Sequence, residues 1–126
     1  MARAILIADD NLSIRRVLRS ALENVGECSI CGEAENGATA IDKVKELHPD
    51  LVILDFSMPV LNGLEVLRAL KRLRPTMPVI LFTMFKDRHL EAEAFAAGAS
   101  VVISKAAGID TLIEQTRVLL KYSKPC

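Results

Sequence analysis

Four short runs, Ala4 to Ala8, Leu51 to Leu54, Val79 to Phe82 and Val101 to Ile103, are apolar at every position instead of at alternate ones. A strand with one wet face alternates apolar and polar residues, so such runs belong to strands covered on both sides, as in a parallel sheet. A fifth segment, Cys28 to Glu33, is more polar and reads as an edge strand.

Between these runs the apolar spacing changes to that of helices. Ile14, Val17, Leu18, Ala21, Leu22 and Val25 predict one amphipathic helix, stopped by Gly26. Ala40, Ile41, Val44 and Leu47 mark a second, and Gly63 to Leu73, with Val66, Leu67 and Leu70 on its buried face, a third that Pro75 ends. A small, Ala-rich fourth runs from Asp87 to Ala97 before Gly98, and Ile109, Leu112, Ile113, Thr116, Leu119 and Leu120 make the fifth. Strand and helix alternate five times, which predicts an α/β domain with helices on both faces of one parallel, doubly wound sheet. Residues 1–122 are assigned to this domain and 123–126 to a frayed tail.

The 126 residues fit one domain on the usual scale of ~100–200 residues, and an apolar content of 51% against 25% charged excludes wholesale disorder. Sixteen basic and sixteen acidic residues cancel, so no bulk positive field draws this domain to nucleic acid or to an anionic membrane. The apolar runs are too short to span a bilayer, the N-terminus shows no leader pattern, and three cysteines cannot all pair within the chain, which together predict a cytoplasmic protein. Cys28 and Cys31 are spaced as C-x-x-C, but three residues apart on a strand they point to opposite faces, and ordinary packing is the expected role.

In a doubly wound sheet ligands bind outside the carboxyl ends of the strands, near the point where strand order reverses. The residues there are Asp9 and Asp10 after the first run, Asp55 after Leu54, Thr83 after Phe82, and Lys105 just past the last. Three carboxylates brought close together repel, and either one stays protonated or a cation joins them. An all-oxygen donor set without His or Cys points to Mg²⁺, which keeps several waters and is often completed by a phosphate oxygen. A carboxylate can itself attack a phosphoryl group, and Asp55 is the candidate nucleophile. Thr83 and Lys105 supply a hydroxyl and a cation for the remaining phosphoryl oxygens.

Asp9-Asp10-Asn11, Asp55-Phe56-Ser57-Met58-Pro59 with Asn62-Gly63, Thr83, and Gly98-Ala99 before Lys105 together resemble the receiver domain of bacterial response regulators. The likeness covers essentially the whole chain in order and spacing. It implies a flavodoxin-like (βα)5 fold with strand order 2-1-3-4-5. It further implies that Asp55 accepts a phosphoryl group from a histidine kinase or phosphotransfer protein and passes the event on by conformational change. Asp10, Asp55 and the backbone carbonyl of Ser57 would bind Mg²⁺ directly, Asp9 mainly through water, and Thr83 and Lys105 would contact the phosphoryl oxygens. On this likeness the domain is a phosphoacceptor, catalysing at most its own phosphorylation and dephosphorylation, and its partners are the kinase and a downstream target or output domain. A homodimer through the fourth helix, fifth strand and fifth helix is compatible with it. The Leu61 to Leu67 and Leu81 to Met84 stretches look most like receivers that carry a helix-turn-helix DNA-binding domain.

The chain departs from the family pattern at several positions. Ala106 follows Lys105 where the family often has a cis-linked proline, and a non-proline cis bond costs about 3 kcal/mol, so a trans bond is expected. Val102 replaces the aromatic switch three residues before the lysine, which moves the expected output to the fourth helix and its loop, near Met84 and Phe85. Ser57 and Phe85 stand where the family orients the attacking water; neither offers a carboxylate or amide, and slow loss of phosphate is expected. Met84 is expected to hinder small phosphodonors. Val102 and Ala106 also define the competing reading, a receiver-fold interaction module that signals without phosphate. A haloacid-type phosphatase would need a second Asp where Ser57 stands, and a nucleotide-binding loop would need glycines after the first strand. His48 and His89, the scattered Met residues and the cluster Arg68, Lys71, Arg72 and Arg74 take structural readings, the last as a solvated helix face.

Overall fold

The computed structural model describes residues 3–26, 28–56, 62–84 and 86–123. In chain order the elements are β1 (Arg3–Ala8), α1 (Leu12–Glu23), β2 (Cys28–Ala34), α2 (Gly37–Leu47), β3 (Leu51–Leu54), α3 (Gly63–Leu73), β4 (Val79–Thr83), α4 (Arg88–Ala97), β5 (Val101–Ser104), a 3-10 turn (Lys105–Ala107) and α5 (Ile109–Ser123). The strands form one parallel sheet in the order β2-β1-β3-β4-β5, as expected.

The uniform apolar runs are explained by a separate core on each face. Against one face Leu6, Val52, Leu54, Val79 and Leu81 pack with Val44 of α2, Val66, Leu67 and Leu70 of α3, and Leu90 and Ala94 of α4. Against the other, Ile5, Ile7, Ile53, Ile80 and Ile103 pack with Leu18 and Leu22 of α1 and Leu112 and Leu120 of α5. Alternate residues of one strand thus enter different cores, and no position on the three inner strands can be polar without a partner.

Four helices start on a side-chain cap. Asn11, Asn36, Asn62 and Asp87 are extended and accept from the backbone N–H three residues on, each contributing about 1 kcal/mol. At α3 the arrangement is reciprocal: Glu65 N–H donates to Asn62 Oδ1 and the Asn62 amide to Glu65 Oε1, at 3.0 and 2.8 Å. α1 begins two residues before the first expected apolar position and ends at Glu23, so Val25 lies in the turn beyond it, tied by its N–H to Leu22 O. α5 extends through Ser123, one residue into the expected tail, and 124–126 lie outside the described residues.

The edge strand holds an irregularity absent from its residue pattern. Ile5 pairs with Ile30 but Leu6 pairs with Gly32, so Cys31 is an inserted residue against β1. The insertion reverses the facing of the later β2 residues: Cys28 and Ile30 enter the α1/α5 core, Ala34 the other, and Glu33 turns toward α1. Cys28 and Cys31 are on opposite faces, as expected, and neither forms a disulfide.

Candidate functional site at the carboxyl edge of the sheet

β1 and β3 are neighbours because strand order reverses between them, and both aspartate groups stand directly at that switch point. The parallel ladder continues one residue past each strand: Asp9 N–H donates to Ala34 O at 3.0 Å and Asp55 N–H to Ala8 O at 2.9 Å. Ordinary sheet pairing therefore fixes the backbone of both carboxylates. Asp9 is 2% exposed and Asp55 6%, whereas Asp10 faces solvent. One carboxylate oxygen from each of Asp9, Asp10 and Asp55 lies within 4.8 Å of the others.

Lys105 enters from the 3-10 turn after β5. Its Nζ lies 2.8 Å from Asp9 Oδ2 and 3.5 Å from Asp55 Oδ1, and 5.9 Å from the centre of the Phe82 ring. The Asp9 carboxylate also accepts from Asn11 N–H at 2.9 Å, which turns the chain into α1. Thr83 is the last residue of β4, not the first beyond it, and is buried beside Ser104 in the β4–β5 register. The edge thus gathers Asp9, Asp10 and Asp55, with Lys105 against two of them and Thr83 one strand over. The Lys105–Ala106 peptide is trans, as expected. Ser57 and Phe85, and with them the expected carbonyl ligand and water-orienting positions, lie outside the described residues.

The donor set fits a hard divalent cation. Three carboxylates meet one ammonium, and among the described residues Asp10 has no side-chain partner, so negative charge is in excess at a point where all donors are oxygen.

Four residues that sequence reasoning did not count toward the site, Arg15, Glu33, Arg19 and Lys43, hold this corner from behind. Arg15 Nη1 donates to the backbone carbonyl of Asp9 at 2.7 Å, while its Nε donates to Glu33 Oε1 at 2.9 Å. Arg19 Nε binds the other oxygen of Glu33 at 2.7 Å, and Lys43 Nζ the Glu33 carbonyl at 2.5 Å. Burial raises the Glu33 carboxyl pKa, but the hydrogen bonds from Arg19 and Arg15 and their charges outweigh it and leave it below the ordinary carboxylate value. The only signal in the sequence is the i, i+4 spacing of Arg15 and Arg19, since the facing of Glu33 depends on the Cys31 insertion.

Elsewhere, His48 closes α2 in the left-handed conformation, and His89 pairs with Glu93 on the exposed side of α4. The basic cluster on α3 is not uniformly solvated. Arg68 and Arg72 are exposed beside a shallow groove of about 330 Å³, but Lys71 is half-buried and donates to Met77 O at 2.8 Å; burial lowers its pKa. Among the described residues no helix is long and apolar enough to cross a membrane.

The family model described as the response regulator receiver domain matches residues 5–117. The chain is 39% identical over 110 residues to the transcriptional regulatory protein LnrK of Bacillus subtilis, covering 87% of this chain and 50% of that one. It is 33% identical over 105 residues to the chemotaxis protein CheY of Thermotoga maritima, covering 83% of this chain and 87% of that one. Among solved structures, a LuxR-family two-component response regulator from Aurantimonas sp. superposes with a TM-score of 0.91 at 25% identity, covering 96% of this chain and 86% of that one. The chain spans about half the length of the first transcriptional regulators it matches.

Proposed function

The chain belongs to the response regulator receiver domains of two-component signalling, and on that premise we propose that Asp55 accepts a phosphoryl group from a histidine kinase or phosphotransfer protein in a Mg²⁺-dependent reaction. The observation that carries this reading is the meeting of Asp9, Asp10 and Asp55 within 4.8 Å, with Lys105 reaching two of them. A domain that never held a cation would gain nothing from keeping three repelling carboxylates together.

Asp55 Oδ attacks phosphorus as the bond to the donor histidine nitrogen breaks, and that nitrogen leaves as imidazole with the bonding pair. Asp10, Asp55 and the Ser57 carbonyl would hold Mg²⁺ directly, with Asp9 acting through water; bound there, it supplies charge neutralisation for the phosphoryl oxygens. Lys105, 3.5 Å from Asp55 Oδ1, would exchange that contact for one with a phosphoryl oxygen, and the Thr83 hydroxyl would donate to another. Because Val102 is buried and carries no hydroxyl, the event is relayed through α4 and the loop before it to a downstream protein or output domain. This receiver works in the cytoplasm and has no direct contact with nucleic acid or membrane.

The test is amide NMR with Mg²⁺ and then beryllofluoride, an acyl-phosphate mimic, on the wild type and Asp55→Asn. Shifts at Asp10, Asp55, Thr83 and Lys105 that vanish in the variant support the reading. Absence of any response to either ligand overturns it in favour of a phosphate-independent interaction module.

A further inference from the structure

Asp10 is the exposed member of the acidic cluster, and among the described residues nothing holds its side chain. The point from which it extends is therefore set by its backbone alone, and the peptide that joins it to Asp9 has its carbonyl bound by Arg15 Nη1 at 2.7 Å. Arg15 is not free to swing, because Nε is held by Glu33, which Arg19 and Lys43 hold in turn. The Arg15 side chain is 12% exposed, and its guanidinium is tied at two points, to Glu33 and to the Asp9 carbonyl.

We propose that Arg15 is a positioning residue for the divalent cation: braced by Glu33, its guanidinium fixes the Asp9–Asp10 peptide and so aims the Asp10 carboxylate. The inference rests on the Mg²⁺ reading above. The geometry separates it from a plain charge effect. On the side of the acidic cluster Arg15 binds a backbone carbonyl, not one of the three carboxylates, and Glu33 offsets its charge from behind, so what reaches the site is a directed N–H. A positive charge acting by itself would repel a second cation, and its removal would tighten Mg²⁺ binding. Loss of a positioning contact does the opposite, since partners that orient metal ligands typically contribute ~10–100-fold to affinity.

Mg²⁺ titration followed by amide NMR, on wild type, Arg15→Ala, Arg15→Lys and Glu33→Gln, decides between them, with urea unfolding of each variant as the control for global stability. Arg15→Ala is expected to weaken Mg²⁺ binding at least about tenfold and to broaden or shift the Asp10 amide even without metal. Arg15→Lys keeps the charge but lacks the fork that spans Glu33 and the Asp9 carbonyl, and is expected to stay close to Arg15→Ala. Glu33→Gln keeps the shape and one acceptor, and is expected to weaken binding by a smaller factor. Unchanged or tighter binding in Arg15→Ala, or full rescue by Arg15→Lys, overturns the positioning role while leaving the receiver reading intact. A wild type that binds no Mg²⁺ overturns both.

Discussion

Gly63 lies directly against Phe56: a Cβ built on Gly63 would stand 2.6 Å from Phe56 Cα, 3.0 Å from Phe56 O and 3.2 Å from Asp55 O. The neighbours are backbone, which cannot rotate aside, and Gly63 N–H also donates to Phe56 O at 2.8 Å. The first turn of α3 is thus pressed onto the strand end that carries Asp55. Gly63→Ala is expected to cost about 1–3 kcal/mol of stability through overpacking and to weaken beryllofluoride binding by displacing Asp55. Urea unfolding and an NMR titration check both; a fully stable Gly63→Ala protein with native affinity would refute the close approach.

Lys105 forms an ion pair with both Asp9 and Asp55. Removing one partner of a buried ion pair leaves the other charge uncompensated, at a typical cost of ~3–5 kcal/mol. Lys105→Ala is expected to be destabilised on that scale in metal-free buffer and to recover part of the loss in Mg²⁺, so that the rise in Tm on adding Mg²⁺ exceeds that of the wild type. Thermal unfolding with and without Mg²⁺ reads the difference directly, and equal rises would count against a cation at this cluster.

Glu33 makes stability depend on pH with a definite sign. Its folded pKa lies below the ordinary carboxylate value, so its contribution is present above that value and is lost as pH falls through the folded one. Wild type is expected to exceed Glu33→Gln in urea midpoint at pH 7, with the gap closing as the pH is lowered past the carboxylate range. A gap that persists or widens in acid would mean that the Arg15–Glu33–Arg19 ion pairs are not its source.

Met84 comes directly after Thr83 at the same sheet edge and is 61% exposed. If its side chain screens the phosphoacceptor from small donors, Met84→Ala should speed phosphorylation by acetyl phosphate several-fold while leaving transfer from a phosphorylated histidine protein little changed. Intact-protein mass spectrometry over time measures both rates, and an unchanged acetyl phosphate rate would remove Met84 from that role.

The carboxyl-edge chemistry was legible because a doubly wound sheet turns strand ends into neighbours: once the apolar runs were located, the positions of Asp9, Asp10, Asp55, Thr83 and Lys105 placed them at one edge. Boundaries were legible to within three residues, with Thr83 counted inside β4, Val25 outside α1, and α2 starting at Gly37, ahead of its first apolar mark at Ala40. The features that could not be read depend on register and contact. The Cys31 insertion leaves no compositional mark, yet it turns Glu33 to meet Arg15 and Arg19. Similarly, Lys71 belongs to a helix face that looks wet by spacing, but its stem lies over Gly98, where a Cβ would come within 2.7 Å of Lys71 Cγ.

Lys105 and Asp9 are 96 positions apart, toward opposite ends of the domain. During synthesis all three carboxylates leave the ribosome well before the ammonium that pairs with two of them, and without a divalent cation β5 and its turn must close on the sheet before that repulsion is relieved. A late segment therefore neutralises an early one. A nascent chain stalled before β5 would carry an inner sheet whose functional corner still favours opening, and free divalent cation could stand in for the missing lysine at that stage.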